Sequence, residues 1–153
     1  TFKDAQSSDY VGGQVWARKG SSRYLLDQVR GRMSFTETIR AVRSLSAKWP
    51  QAVRKLIEDK ANGTAVIDVL RRELPGLIPV EPEGGKIVRA NAVTAVAEAG
   101  NVFLPDPSIA PWVHDFVEEH AMFPNGANDD QVDAQSQANT YYNSSSFSLE
   151  GLL

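Results

Sequence analysis

Short apolar runs and longer segments of helical period follow one another along most of the chain. Two aromatic-rich runs, at 10–17 and 24–29, flank the turn-rich residues R-K-G-S-S-R and predict a β-hairpin with a loop longer than the tightest type. Ser34 and Glu37 then form an S-x-x-E pattern, in which both side chains satisfy free backbone amides at a helix start. Apolar positions of helical spacing follow them until Pro50, which predicts the end of this first helix.

Beyond Pro50, predicted strands alternate with predicted helices. Such alternation indicates an α/β fold with a mixed central sheet, because the connecting helices must cover the faces of the sheet. The apolar runs predict strands at 53–57, 77–80 and 102–104, and the helical periods predict helices at 64–74, 86–99, 112–122 and 129–138.

The last fifteen residues differ in composition from the rest of the chain. They read N-T-Y-Y-N-S-S-S-F-S-L-E-G-L-L, rich in Ser and Asn and without a hydrophobic period. We therefore predict one domain over residues 1–138 and a flexible or peripherally docked C-terminal tail over 139–153.

Composition narrows the class of protein. A chain of 153 residues with 42% hydrophobic residues is large enough to bury one core. No apolar run reaches the roughly 18 residues of a membrane span, and the first ten residues lack the apolar stretch of a secretory signal. The absence of Cys excludes disulfides, thiolate zinc sites and cysteine nucleophiles. We expect a cytoplasmic protein.

The charges are distributed unevenly along the chain. The net charge is −3, yet all 16 Lys and Arg lie before residue 90, where only ten acidic residues accompany them. The remaining residues carry nine carboxylates and no Lys or Arg. This asymmetry fits a basic surface for phosphates beside an acidic cluster for cations, and it also fits solvated faces without a ligand.

Two acidic groups are candidates for chemistry. Glu58 and Asp59 follow a predicted central strand, and ligands of open α/β sheets gather at such strand ends. Asp129, Asp130 and Asp133 open the last predicted helix. Together they predict a site for Mg²⁺ or Mn²⁺, which prefer carboxylate oxygens and support phosphodiester hydrolysis. Capping of a helix start is the alternative reading of the three Asp. If the acids converge, replacing Asp130 by Asn should stabilise the metal-free protein slightly.

One glycine-containing segment has the look of a phosphate loop without its full pattern. E-G-G-K is followed by Ile87, so G-x-x-x-x-G-K-[ST] is not met and no nucleoside-triphosphatase site is expected. Lys86 and Arg89 lie three apart at a predicted helix start, where they could contact a backbone phosphate or simply solvent.

Six blocks of sequence resemble the C-terminal nuclease domain of the terminase large subunit of tailed bacteriophages and prophages. The resemblance covers residues 1–138 in order, and the combination of blocks is specific although no single block is. The blocks are D-Y-V-G-G-Q-V-W (9–16), Y-L-L-D-Q-V-R-G-R (24–32), I-E-D-K-A-N-G (57–63), P-E-G-G-K (82–86), A-G-N-V-F-L-P (99–105) and F-P-N-G-A-N-D-D-Q-V-D-A (123–134).

The resemblance implies an RNase H-like fold and a metal-dependent endonuclease that cuts concatemeric viral DNA during packaging. Its implied partners are double-stranded DNA, the N-terminal packaging ATPase domain of the same parent chain, the small terminase subunit and the portal, in the cytoplasm of a bacterial host. No membrane partner is implied. Lys60, Lys86 and Arg89 are the candidate contacts to the DNA backbone.

The resemblance also implies three acidic positions that hold one or two Mg²⁺ or Mn²⁺ ions. The second maps to Glu58 or Asp59, with a slight preference for Asp59. The third maps to Asp129 or Asp130, with Asp133 in support. The first lies on a strand ahead of Thr1, so weak cleavage is expected of the 153 residues alone.

The sequence leaves two other functions open. With an incomplete acidic triad, the same fold could be a non-catalytic module that binds DNA or docks a motor. A phosphatase of small substrates is the third possibility, although no phosphatase nucleophile motif is present.

The sequence departs from the terminase pattern at one position beside the acidic residues. The residue before the Asp pair, often His in relatives, is Asn128, which cannot transfer a proton.

Overall fold

The computed structural model describes residues 10–81, 85, 87, 88, 91, 94 and 97–152, with side chains up to Ser144. In chain order the elements are β1 (Tyr10–Lys19), β2 (Ser22–Arg32), α1 (Phe35–Lys48), β3 (Lys55–Glu58), α2 (Asn62–Leu70), β4 (Leu77–Val80), β5 (Val102–Phe103), α3 (Val113–Met122) and α4 (Asp130–Leu152).

The first two strands form the predicted hairpin, but its turn is tighter than the sequence predicts. They pair antiparallel from Tyr10 opposite Arg32 to Lys19 opposite Ser22, with a bulge after Val15. Only two residues remain for the turn, and the first of them, Gly20, has φ +62°. Glycine adopts this conformation without strain, so both strands extend into the segment predicted as a loop.

The strands confirm the α/β class with a mixed sheet. β2 pairs antiparallel with β1 and parallel with β5, and β3 pairs parallel with β4 in a second, two-stranded sheet. Between β1 and β3 lie two adjoining cavities of about 380 and 400 Å³, both of which also contact the first turns of α4. The second cavity is lined by acidic residues from the end of β3 and the start of α4.

The predicted helix start at Ser34 is confirmed. The Ser34 side chain accepts a hydrogen bond of 3.2 Å from the Glu37 backbone amide, as the S-x-x-E pattern requires. α1 ends at Lys48, two residues before Pro50. Its inward face packs on α2, where Ile39 joins Val66 and Leu70 in the buried core. Partly buried apolar residues surround this group: Phe35, Val42, Ile57, Leu74 and Leu77.

The connection from β3 to α2 is sharper than predicted. The helix begins at Asn62 rather than at residue 64 and ends at Leu70 rather than at 74. Ala61 makes the turn with φ 52° and ψ −125°, a conformation that L-residues rarely adopt. Gly63 is required as glycine, because a Cβ there would lie 2.0 Å from the Glu58 carbonyl oxygen.

Replacing Ala61 by Gly should raise the free energy of unfolding by about 1 kcal/mol, because glycine relieves the strain of the positive φ. A urea or thermal melt measures the change. Ala65→Gly is the matched control: Ala65 is exposed on α2, and glycine there should cost about 1 kcal/mol. Destabilisation by both substitutions would show that the turn at Ala61 is unstrained.

The last helix is much longer than the ten residues predicted. α4 continues from Asp130 to Leu152, through residues assigned from sequence to the tail. Apart from Val132, its buried face is polar, including Gln131, Gln135 and Asn139, so no hydrophobic period marks it in the sequence. Arg23 of β2 donates to the backbone carbonyl and side chain of Asn139 and to the side chain of Asn143. No described helix is long and apolar enough to cross a membrane.

Part of the predicted helix 86–99 lies outside the described residues, including Lys86 and Arg89. Within that range, the described residues Ile87, Val88, Asn91, Thr94, Ala97 and Glu98 are helical. Gly100 follows with φ +73° and donates its amide to the Ala97 carbonyl, as expected of a glycine that ends a helix.

Candidate active site

Residues from both predicted acidic groups line one cavity. The cavity of about 400 Å³ is bounded by β1, by the end of β3, by the turn into α2 and by the start of α4. Glu58, Lys60, Asp130, Asp133 and Gln137 are among its lining residues. The fold therefore brings together side chains that are more than 70 positions apart in the chain.

Glu58 and Asp59 have different surroundings although they are neighbours. Glu58 is the last residue of β3, and its Oε2 accepts a hydrogen bond of 3.2 Å from Gln137 Nε2 on α4. Asp59 is not among the lining residues; its Oδ1 accepts a hydrogen bond of 2.8 Å from the Thr64 hydroxyl in the first turn of α2. Successive side chains of an extended chain point to opposite sides, which separates the two carboxylates.

Asp130 and Asp133 share one face of α4 because they lie three residues apart in its first turn. Asp129 precedes the helix, and its carbonyl accepts the Asp133 amide at 2.9 Å. Asp129 is not among the lining residues of the cavity. Of the predicted acidic residues, the cavity thus contains Glu58, Asp130 and Asp133. The ligand roles assigned to these residues, and to Asp59 and Asp129, stay predictions.

Arg30 of β2 binds the Asp130 carboxylate with two hydrogen bonds. Its Nε lies 2.8 Å from Asp130 Oδ2, and its Nη2 lies 3.1 Å from Oδ1. This contact is the main cause that raises the pKa of Arg30 above its ordinary value. The guanidinium also lies over the Tyr10 ring, 4.5 Å from its centre. Sequence reasoning missed Arg30, because one Arg among 16 basic residues carries no distinguishing signal.

Glu119 of α3 is a second carboxylate that sequence reasoning missed. Its side chain is only 5% exposed. Oε2 accepts the Val132 amide at 2.8 Å, and Oε1 accepts Gln131 Nε2 at 2.9 Å and Arg30 Nη2 at 3.3 Å. Glu119 therefore caps the start of α4 and contacts the arginine that binds Asp130.

Buried and half-buried glutamines continue this network across the sheet. Gln28 Nε2 donates to Gln131 Oε1, and Gln14 Nε2 donates to Gln28 Oε1 and to the Gln131 carbonyl. Trp16 Nε1 donates to Gln14 Oε1. Gln14 and Gln28 stand opposite each other because of the bulge after Val15, so the sequence alone did not indicate this pair.

β1 approaches the acidic residues closely at Gly12. A Cβ at this position would lie 3.2 Å from Asp130 Oδ2, closer than ordinary van der Waals contact. A larger side chain there would move the Asp130 carboxylate or the strand. Gly12, the first glycine of the V-G-G-Q segment, thus leaves room for the pair of Arg30 and Asp130.

The cavity offers the kind of ligand atom that a divalent cation prefers. Its described carboxylates, however, are not arranged closely enough to hold one. Carboxylate oxygens are the preferred ligands of Mg²⁺ and Mn²⁺. Within residues 10–81 and 97–144, however, no group of three or more acidic or His side chains is close enough to hold a metal ion. Lys60 is exposed at the cavity, where it could contact a phosphate.

Replacing Asp130 by Asn should lower the free energy of unfolding of the metal-free protein by about 2 kcal/mol. Repulsion among the acids alone predicted a slight gain, but the two hydrogen bonds from Arg30 reverse the sign, since Asp130 and Arg30 are only 10% and 20% exposed. Denaturant melts in EDTA measure the effect. Glu73→Gln is the control, because Glu73 makes the same two-bonded pair with Arg43 on the surface and should matter little. A stabilised Asp130→Asn protein would contradict the importance of the Arg30 pair.

Comparison with known proteins identifies the family. The family of terminase RNaseH-like domains matches residues 1–141, more than nine tenths of the chain. Comparison with curated protein sequences gives no match. The match extends from the hairpin through Glu58 and the acidic start of α4 into the middle of that helix. The chain therefore belongs to the terminase RNaseH-like domain family.

Proposed function

We propose that this domain is the metal-dependent DNA endonuclease of a phage terminase large subunit and cuts concatemeric viral DNA. One observation carries the proposal: Glu58, Asp130 and Asp133 line a single cavity in a member of the terminase RNaseH-like family. Glu58 comes from the end of a strand and the two Asp come from a helix start. Their side chains are acceptors that suit a hard cation.

The proposed reaction is hydrolysis of a phosphodiester bond. Glu58, Asp130 and Asp133 would hold one or two Mg²⁺ or Mn²⁺ ions. A bound ion would supply positive charge at the attacking and leaving oxygens. The chain itself orients two of the carboxylates, since Gln137 donates to Glu58 and Arg30 donates to Asp130.

Double-stranded DNA is the proposed substrate. Lys60 at the cavity, with Lys86 and Arg89 as further candidates, would contact its backbone phosphates. Such contacts do not depend on base sequence and weaken as salt concentration rises. The packaging ATPase domain, the small terminase subunit and the portal are proposed partners on the strength of the family alone.

Cleavage of supercoiled plasmid tests this function. We expect weak but measurable conversion to nicked and linear DNA with Mn²⁺ or Mg²⁺ and none with EDTA. Calcium should support little cleavage, because its looser coordination does not hold the reacting groups in line. Glu58→Gln and Asp133→Asn should each remove the activity, whereas Asp68→Asn, an exposed acid on α2, should retain it. Plasmid that stays intact in all metals, or equal cleavage by the four proteins, would contradict the proposal.

A non-catalytic module that binds DNA or docks a motor is the second candidate. The observation in its favour is that the described carboxylates form no group of three close enough to hold a metal ion. This alternative predicts DNA binding that is unchanged by Mn²⁺ or EDTA and no cleavage. A gel-shift experiment run beside the plasmid assay separates the two functions.

A further inference from the structure

Glu119 connects three donors that belong to different parts of the site. The Val132 amide is in the first turn of α4, Gln131 Nε2 comes from the buried network, and Arg30 Nη2 belongs to the residue that binds Asp130. We propose that Glu119 is a positioning residue of the acidic site, which acts through Arg30 and the first turn of α4 to fix the Asp130 carboxylate at the cavity. The inference rests on the proposed function.

The two oxygens of Glu119 perform separate tasks. Oε2 accepts the Val132 amide at the helix start, and Oε1 accepts both Gln131 Nε2 and the guanidinium of Arg30. Arg30 in turn uses Nη2 for both carboxylates and Nε for Asp130 alone. The guanidinium is planar and rigid, so a contact at one edge fixes the direction of the others. The position of Asp130 therefore depends on Glu119 although the two side chains belong to different helices.

Burial makes the carboxylates of Glu119 and Asp130 depend on the guanidinium of Arg30. The side chains of Glu119 and Asp130 are 5% and 10% exposed, and a carboxylate so removed from water needs its charged partner. A purely structural cap would require only the contact with Val132. The bond from Glu119 to Arg30 joins two side chains and makes no contact with the helix backbone, and the same guanidinium binds Asp130.

Substitutions that conserve charge separate positioning from electrostatics. Glu119→Asp keeps the carboxylate but shortens the side chain by one methylene, so the carboxylate cannot reach Val132 and Arg30 together. Arg30→Lys keeps the positive charge but loses the two-bonded contact with Asp130. Arg43→Lys and Glu73→Asp are the matched controls, because Arg43 and Glu73 form a pair of the same geometry on the surface.

Calorimetric titration of the whole chain with Mn²⁺ measures the effect. We expect Glu119→Asp and Arg30→Lys each to weaken Mn²⁺ affinity about tenfold or more, as is typical when a residue behind a metal ligand is altered, and the controls to match wild type. Circular dichroism in EDTA checks folding, and Arg30→Lys decides the matter if Glu119→Asp fails to fold. Wild-type affinity in the Arg30→Lys protein would overturn the positioning role alone. Absence of Mn²⁺ binding by wild type would overturn the proposed function itself.

Discussion

Gln131→Leu should lower the free energy of unfolding by about 3 kcal/mol, a large share of the stability of a domain this size. Gln131 is fully buried, and its amide accepts from Gln28 and donates to Glu119. Leucine has a similar volume but no polar atoms, so the Gln28 amide loses its acceptor and the buried Glu119 loses one donor. Each such loss costs roughly 1–3 kcal/mol.

Denaturant melts at constant pH measure this change, with Gln51→Leu as the control. Gln51 is exposed, so leucine there should alter the free energy of unfolding by no more than about 0.5 kcal/mol. If Gln131→Leu were equally mild, the glutamine network would contribute little to stability, and α4 would be held by other contacts.

Leu70→Ala should cost about 3 kcal/mol, because it leaves a cavity in the core. Leu70 is the last residue of α2 and is completely buried against Ile39 and Val66. Val69→Ala on the same helix is the matched control: Val69 is 49% exposed and should change stability far less. Thermal or urea melts of both variants test this difference. Similar losses for the two would show that α2 does not pack as described.

The parts of the fold that follow apolar patterns were predictable from the sequence. The Ser34 cap and the strand Leu77–Val80 are where the pattern puts them, since local hydrogen bonds and short apolar runs decide both. The length of α4 was not predictable in this way. Apart from Val132, its buried face consists of Gln, Ser and Asn, whose partners are polar side chains of the hairpin and of α3.

The sequence indicated which acidic residues contribute to the site, but not which contacts each of them makes. Acidic residues at a strand end and a helix start indicated where carboxylates meet, and Glu58 and Asp133 do line one cavity. The contrast between Glu58 and Asp59 depends on the turn at Ala61, which puts Thr64 within reach of Asp59. The roles of Arg30 and Glu119 depend on contacts between residues 89 positions apart, which no local pattern encodes.

The most direct measurement of the central claim is the effect of Mn²⁺ on thermal stability. Wild type, Glu58→Gln, Asp133→Asn and the surface control Asp68→Asn are each melted with EDTA or with millimolar Mn²⁺. We predict that Mn²⁺ raises the free energy of unfolding of wild type and Asp68→Asn by about 2.7 kcal/mol at a hundredfold excess over Kd, which raises their melting temperatures, and that the gain disappears in the two cavity variants. An identical response to Mn²⁺ in all four proteins would contradict the assignment of this cavity as the cation site.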